Sequence, residues 1–156
     1  MTIARNLKTF LAQKNISYDV VDHPRTSSST QTAQTAHVPG NRLAKAVVLE
    51  DDDGFVLAVV PSSYHVELGV LGKQMERKLR LASESQLPDM FGDCELGAVP
   101  PVGDPYGLKT VIEEDLAEQA DVYFEAGDHE KLIHVTHDEF LRLMASAEVR
   151  HFSHRI

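Results

Sequence analysis

The sequence predicts an α/β fold of the mixed α+β kind, in which helices cover a mixed β-sheet. Three observations support it: an amphipathic helical pattern opens the chain, two nearly continuous apolar runs joined by an acidic turn follow, and single strands and helices then alternate. Hairpins combined with single helices are typical of a mixed sheet with helices against its faces. The chain has 156 residues, the length of one ordinary domain, and we expect a single domain over residues 1–156.

The first elements follow from spacing and composition. Residues 3–14 place apolar side chains at helical intervals, which predicts an amphipathic helix with Thr2 as its N-cap. Residues 17–22 are typical of a strand. The run of Ser and Thr at 26–32 predicts a loop that leads into a short helix ending near residues 38–40.

A β-hairpin comes next. Residues 45–49 and 55–60 are apolar runs, and the acidic turn between them ends in Gly54, which is free to take a positive φ. Because both runs are apolar at nearly every residue, we expect the hairpin to be central in the sheet.

The second half combines short elements with one long loop. Residues 66–77 favour a helix, residues 80–82 favour a short strand, and residues 83–86 match a capping box that opens a helix through about Met90. Between residues 92 and 108 there are seven Gly and Pro residues, a density that predicts a long shaped loop.

The last predicted elements are three strands and a helix. We expect strands at 109–112, 121–124 and 131–135. Residues 136–139 form a second capping box, which predicts the start of a C-terminal helix.

Composition and charge narrow the classes of function. Lys and Arg total 15 against 24 Asp and Glu, a net charge of −9, whereas nucleic-acid affinity normally depends on a basic face. A broad tRNA-binding surface is therefore disfavoured, although the basic residues between Lys73 and Arg80 permit a small basic patch at the opening of a binding site. The single Cys94 excludes an internal disulfide, and we see neither a signal peptide nor an apolar run of membrane length. These features predict a cytoplasmic protein without a membrane partner.

Lys45 is the first candidate for chemistry. It opens an apolar strand, where a charged side chain is unexpected unless it reaches into a cleft or to solvent. In a cleft its ammonium group could hold a phosphate or polarise a carbonyl. The alternative is a lysine at a strand end whose amine extends into water.

The loop at residues 97–103 is the second candidate. Pro100 and Pro101 stiffen it without donating hydrogen bonds, which leaves the N–H groups of Gly97, Ala98, Val99, Val102 and Gly103 as free donors. A rigid loop with few, fixed amides suits the carbonyl or oxyanion of an acyl group. The alternative is an ordinary surface loop.

The eight histidines do not predict a metal site. His134 and His137 have a spacing that suggests metal ligands, but we place one in a strand and the other in the first turn of the next helix, without a nearby cysteine. His129, in a tight turn between two strands, is either a pocket base or an exposed turn residue. The sequence also lacks the motifs of a nucleophilic serine elbow, a phosphate-binding loop and a dinucleotide site.

Several of these segments resemble, in order and spacing, the YbaK/ProX-like family, which includes the editing insertion domain of bacterial prolyl-tRNA synthetases. The similarity covers nearly the whole chain. The matching segments are His23-Pro24, Lys45 to Leu49, Val56 to Pro61, Arg80 to Ala82, Gly97 to Gly103, and Val122 to Gly127.

The resemblance implies a curled mixed sheet or partial barrel flanked by helices, without metal or cofactor. It also implies trans-acting hydrolysis of the ester that joins a misattached amino acid to the acceptor end of a tRNA. Carried over to this chain, Lys45 is the catalytic candidate, and water or a group on the substrate is the nucleophile. The candidates for binding the substrate are Gly97, Ala98, Val99, Pro100, Gly103, Glu125, Gly127 and His129.

Two departures from the family pattern leave alternatives open. Ala46 follows the lysine where some members carry a polar residue, and Glu125 stands where some carry Ser or His. A carboxylate at position 125 could act as a base or repel tRNA phosphates. The alternatives are a non-catalytic binding or regulatory module that retains the pocket, and a hydrolase of a free small acyl ester or amide.

Overall fold

A computed structural model describes residues 3–26, 28–95 and 98–156 of the chain. The α-helices are α1 (Arg5–Gln13), α2 (Ser29–Ala36), α3 (Leu68–Met75), α4 (Leu87–Met90), α5 (Glu114–Ala117) and α6 (His137–Leu143). The strands are β1 (Asp19–Asp22), β2 (Leu43–Asp51), β3 (Gly54–Pro61), β4 (Tyr64–Val66), β5 (Arg80–Leu81), β6 (Lys109–Glu113), β7 (Asp121–Glu125), β8 (Lys131–Thr136), β9 (Glu148–Arg150) and β10 (Ser153–Arg155).

The main sheet is mixed, as predicted. Its strand order is β1-β8-β7-β2-β3-β6-β9, and β5 adds a short pairing to β2. The pairs β2/β3, β7/β8 and β1/β8 are antiparallel, whereas β2/β7, β3/β6 and β6/β9 are parallel. The predicted hairpin, β2 and β3, lies at the centre of this order, which confirms its expected position.

The two faces of the sheet carry separate hydrophobic clusters. Side chains alternate along a strand, so Val48 faces one way and Leu49 the other. On the first face, Val48 belongs to a large cluster with Leu7 and Leu11 of α1. On the second face, Leu49 belongs to a smaller cluster with Leu71 of α3. Both clusters are buried, and helices therefore flank the sheet on each side.

The helix predictions are confirmed in position, with two differences. The sequence predicts a loop over the Ser/Thr run at 26–32, but α2 begins at Ser29, because Ser28 caps the helix by accepting from the backbone N–H of Gln31. The first helix begins after Ala4, whose side chain makes no cap hydrogen bond, and Thr2 lies outside the described residues.

Both predicted capping boxes mark helix starts, the second through its Thr136 cap alone, since the Glu139 side chain pairs with Arg142. Ser83 and Gln86 cap a 3₁₀ turn that runs into α4, and the Thr136 side chain accepts from the backbone N–H of Glu139 at the start of α6.

The short elements α5, β4, β9 and β10 are absent from the sequence-based prediction. Strands β4 and β10 pair with each other near the C-terminus. A buried carboxylate at the end of β6 fixes this region, because Glu113 Oε1 accepts from the backbone N–H groups of Phe152 and Ser153 at 3.0 and 2.8 Å. Ser153 Oγ donates to the same oxygen at 2.6 Å. In the part of the chain that is described, no helix combines the length and the apolar character that crossing a membrane requires.

Candidate functional site

The candidate site lies where two parallel strands separate. Strands β2 and β7 pair only through Leu43 with Tyr123 and Ala44 with Phe124. The next residue on β2 is Lys45 and the next on β7 is Glu125, so both are directed to the same face of the sheet. A cavity of about 170 Å³ opens at this point. Its lining residues are Leu43, Ala44, Lys45, Ala46, Val48, Leu87, Val99 and Glu125.

Lys45 is half-buried at this cavity. Its Nζ donates to the carbonyl oxygen of Ser62 at 3.5 Å, and burial lowers the pKa of the amine. An ammonium group has three donors, and the Ser62 carbonyl takes one of them. Within the described ranges no carboxylate lies within 4 Å of Nζ. Lys45 is therefore a cation at a cavity wall with donors to spare for a ligand.

Glu125 is the second ionisable group at the cavity. Its side chain is 9% exposed, and its Oε1 accepts from Thr32 Oγ1 at 3.1 Å. His23 Nε2 lies 3.6 Å from the same oxygen. Burial raises the pKa of Glu125 to about 7, although the Thr32 hydrogen bond acts in the opposite direction. Oε2 is buried without a hydrogen-bond partner among the described residues.

The turn after β7 explains two of the other candidates. Gly127 has a φ of 115°, and a Cβ at this position would lie 2.9 Å from the Cβ of Ala4. A glycine is therefore required by the backbone conformation and by the close approach of the α1 start. His129 has a φ of 62° and is 6% exposed, so the alternative of an exposed turn histidine is wrong. Neither residue is part of the cavity lining.

Asp128 closes this turn. Its Oδ1 accepts from the backbone N–H groups of Glu130 and Lys131 at 2.9 and 3.0 Å, and the residue is fully buried. The turn also holds the long loop in place, because the backbone N–H of Glu95 donates to the carbonyl oxygen of Gly127 at 2.8 Å. Hydrogen bonds within the turn and from the long loop therefore hold the end of β7, which carries Glu125.

The proline loop reaches the cavity through Val99, whereas Pro100 is buried outside the lining. The prediction of free amides is wrong for two residues. The N–H of Ala98 donates to the carbonyl oxygen of Glu95, and the N–H of Gly103 donates to Thr110 Oγ1, both at 3.1 Å. These amides are used to shape the loop and are not available to an acyl oxygen. Gly97 lies outside the described residues.

His134 and His137, whose spacing suggested metal ligands, contact other groups in the structure. His134 Nε2 lies 2.8 Å from an oxygen of Asp121, and His137 Nδ1 lies 3.0 Å from the carbonyl oxygen of Gln119. Among the described residues, a cluster with spacing suited to a metal consists of Glu113, Asp115 and His151. Glu113 already accepts hydrogen bonds from the C-terminal segment through both of its oxygens.

Sequence reasoning missed Thr32 and gave His23 no chemical role. Thr32 is fully buried in α2, yet the sequence shows it only as one member of a polar Ser/Thr run. His23 Nδ1 lies 2.8 Å from the carbonyl oxygen of Pro24, which orients its other nitrogen towards Glu125. The His23-Pro24 pair was a visible signal, but its partner is about a hundred residues away along the chain.

Comparison with known families agrees with this geometry. The family model described as the aminoacyl-tRNA editing domain matches residues 23–143, which is more than half of the chain. The chain belongs to the aminoacyl-tRNA editing domain family. The matched range includes the editing domain's cavity with Lys45, Val99 and Glu125. No curated protein is similar enough in sequence to match the chain.

Solved structures share the fold of this editing domain over nearly its full length. One, described as a candidate trans-editing enzyme for prolyl-tRNA synthetase, is 26% identical with a TM-score of 0.82, covering 97% of this chain and 96% of the other. A hypothetical protein is 17% identical with a TM-score of 0.84, covering 96% of this chain and all of the other.

A third solved structure is part of a larger protein. It comes from Marinobacter aquaeolei and is described as a candidate signal transduction protein, 20% identical with a TM-score of 0.74. The match covers 95% of this chain and 30% of that one. At the identities of these last two structures the likeness shows the fold alone.

Proposed function

We propose that this editing domain is a trans-acting aminoacyl-tRNA deacylase, which hydrolyses the ester between a misattached amino acid and the terminal ribose of a tRNA. The observation that carries the proposal is the cavity of about 170 Å³ that is lined by both Lys45 and the proline-loop residue Val99. A cation beside an apolar wall suits an ester whose carbonyl becomes an oxyanion while its side chain is held by packing.

The roles of the residues follow from this placement. The Lys45 ammonium group has donors available for the ester carbonyl, where negative charge develops as water attacks. Val99, Leu87 and Val48 provide apolar surface for the side chain of a small amino acid. The end-to-end match with a solved structure described as a candidate trans-editing enzyme supports a chain that works as one unit over residues 1–156.

The proposed partner is the acceptor end of a charged tRNA, and contact with the rest of the tRNA is limited. With a net charge of −9, the protein has little capacity to neutralise many phosphates. We therefore expect the affinity to depend on salt less steeply than for proteins with a broad basic face, and the amino acid to contribute much of the selectivity.

The test is single-turnover deacylation of a panel of mischarged tRNAs by wild type, Lys45→Ala and the control Lys8→Ala. Lys8 is exposed on α1, so its removal leaves the cavity unchanged. We expect Lys45→Ala to lower the rate by about 100-fold, the usual cost of removing one donor to an oxyanion. Equal rates for wild type and Lys45→Ala would contradict the role of Lys45.

The same assay separates the proposed activity from its alternatives. A non-catalytic module would leave every charged tRNA intact while still binding one. A hydrolase of free esters would cleave an aminoacyl ester without the nucleotide as fast as it cleaves the charged tRNA. We expect the nucleotide-free ester to react much more slowly.

A further inference from the structure

We propose that Glu125 is the general base that takes a proton from the water attacking the ester, an inference that rests on the proposed deacylase activity. Ester hydrolysis by water needs a group that accepts this proton, and a protonated lysine cannot do so. Glu125 is the acidic member of the cavity lining.

The position of Glu125 relative to Lys45 suits the reaction. Each residue directly follows the last residue of its strand in the β2/β7 pairing, so an amine and a carboxylate stand on opposite sides of the gap between β2 and β7. They form no ion pair within 4 Å in the described part of the chain. The cavity of about 170 Å³ that both residues line provides the space for an ester carbonyl and a water molecule.

The hydrogen bonds of Glu125 leave one oxygen for water. Oε1 accepts from Thr32 Oγ1, which restricts rotation of the carboxylate. Oε2 is buried and has no partner among the described residues. A buried acceptor without a partner is costly in free energy, and a bound water would satisfy it. A carboxylate with one oxygen hydrogen-bonded and the other unpaired keeps an acceptor for the attacking water, which a small shift of the side chain would open to the cavity.

Burial dominates the protonation of Glu125, and four titratable groups in the part of the chain that the structure describes lie around it. His23 comes from the segment after β1, Asp128 and His129 come from the turn after β7, and Lys45 comes from β2. Burial raises the pKa of Glu125 to about 7; among the charged neighbours, Asp128 raises it further and His129 lowers it. A base with a pKa near neutral is well matched to proton transfer at neutral pH.

The step conserves atoms and charge. The carboxylate of Glu125 removes one proton from water, and the water oxygen forms a bond to the ester carbon while the carbonyl electrons move to oxygen beside the Lys45 ammonium group. The tetrahedral intermediate then collapses, and the bond between the carbon and the ribose oxygen breaks. Glu125 returns the proton to that ribose oxygen, which releases the free amino acid and the uncharged tRNA.

The competing role for Glu125 is to bind the ammonium group of the aminoacyl substrate. The Glu125→Gln variant distinguishes the two roles, since an amide oxygen still accepts a hydrogen bond but is far too weak a base. An N-acetylated aminoacyl-tRNA provides a second distinction, because it has no ammonium group to bind. Loss of rate in Glu125→Gln on both substrates supports a base, and loss restricted to the substrate with a free amine contradicts it.

The experiment measures single-turnover deacylation between pH 5 and pH 9 for wild type, Glu125→Gln, Glu125→Asp and the control Glu130→Gln. Glu130 lies in the same turn but outside the cavity lining. For wild type and Glu130→Gln we expect the rate to rise with pH and to level off above about 7, as the carboxylate ionises. Glu125→Gln is expected to lose about 100-fold in rate together with this inflection.

The Glu125→Asp variant separates loss of the carboxylate from misfolding as the cause of a lower rate. It retains a carboxylate, and we expect it to keep a pH inflection at reduced rate. A Glu125→Gln variant that stays within about threefold of wild type with an unchanged pH profile would overturn the proposal. In that case wild type would still be active and Lys45→Ala still impaired, so the proposed deacylase function would stand. If wild type were inactive on every charged tRNA, the deacylase function and the role of Glu125 would both be overturned.

Discussion

At the scale of single residues, the environment of Glu125 differs strongly from that of an ordinary surface side chain. A carboxylate in water is charged at neutral pH, and moving it into a poorly solvated site favours the neutral acid. Here the hydrogen bond from Thr32 and the charge of His129 offset only part of that cost. The protein therefore carries a destabilising charge at a site where a charge is chemically useful, a common compromise at functional sites.

This cost predicts how stability depends on pH. The pKa of Glu125 in the folded protein is about 7, above its ordinary value of 4.5. The fold thus favours the protonated acid, and the stability that this gives is complete below pH 4.5 and is lost as the pH rises through 7. We expect Glu125→Gln to have a higher free energy of unfolding than wild type at pH 8, by on the order of 2 kcal/mol, and to show little difference near pH 4.5.

Urea unfolding at the two pH values measures this difference. Glu130→Gln serves as the control, since Glu130 lies in the turn after β7 and is only partly buried. If the difference in free energy of unfolding between wild type and Glu125→Gln were the same at pH 4.5 and pH 8, burial of charge would not be its cause.

At the scale of elements, the sequence predicts long or capped segments well and short ones poorly. The hairpin of β2 and β3 is visible because its apolar runs are long, and α6 is visible because Thr136 and Glu139 mark its start. Strands β4, β9 and β10 have three residues each, too few for a period to appear. Their existence depends on contacts with Glu113 and with each other, which are distant along the chain.

The same distinction holds for the candidate site. Lys45 and Val99 were predictable because a charge in an apolar strand and a proline-rich loop are local patterns. The partners of the Ala98 and Gly103 amides were not, because Glu95 and Thr110 acquire these roles only when the loop folds. Thr32 was missed for the same reason, since its importance comes from contact with Glu125.

Gly103 provides the prediction for the loop. A Cβ at this position would overlap Thr110 Oγ1 and would lie 2.5 Å from the carbonyl oxygen of Leu108. We expect Gly103→Ala to lower the free energy of unfolding by roughly 1–3 kcal/mol through overpacking, and to lower the deacylation rate by displacing Val99. Thermal unfolding and the single-turnover assay measure the two effects.

Gly69→Ala is the matched control. Gly69 lies in α3, and a Cβ there meets no atom within 4 Å, so alanine should stabilise the helix slightly. If Gly103→Ala were as stable as Gly69→Ala, the close contact with Thr110 would not be what requires a glycine in the loop.

At the scale of the whole molecule, one buried side chain anchors the C-terminal segment to the sheet, in addition to the pairing of β9 with β6 and of β10 with β4. Glu113 is fully buried and accepts hydrogen bonds from three consecutive residues, 151–153. Burial alone would raise the pKa of this carboxyl, but the hydrogen bonds from Ser153, His151 and Phe152 outweigh it and lower the pKa. The charged form of Glu113 is thus part of the folded structure.

We expect Glu113→Gln to release this segment. An amide has one acceptor oxygen in place of two and carries no charge, so the donors on one side lose their acceptor and those on the other make weaker hydrogen bonds, at a cost of roughly 1–3 kcal/mol. Hydrogen exchange should become faster at the amides of Phe152 and Ser153 and remain slow at residues 56–60 of β3. Uniformly faster exchange throughout the sheet would contradict a local anchoring role, and the deacylation rate should stay close to that of wild type.

The contact between β2 and β7 has a consequence for how such a protein can diversify. Antiparallel ladders of eight and five residue pairs hold β2 to β3 and β7 to β8, whereas two pairs join β2 to β7. Small changes in the side chains at this seam can rotate one group of strands against the other and widen or narrow the gap, while both ladders remain intact. New acyl groups can therefore be accommodated by tuning a joint between two rigid units, without rebuilding either of them.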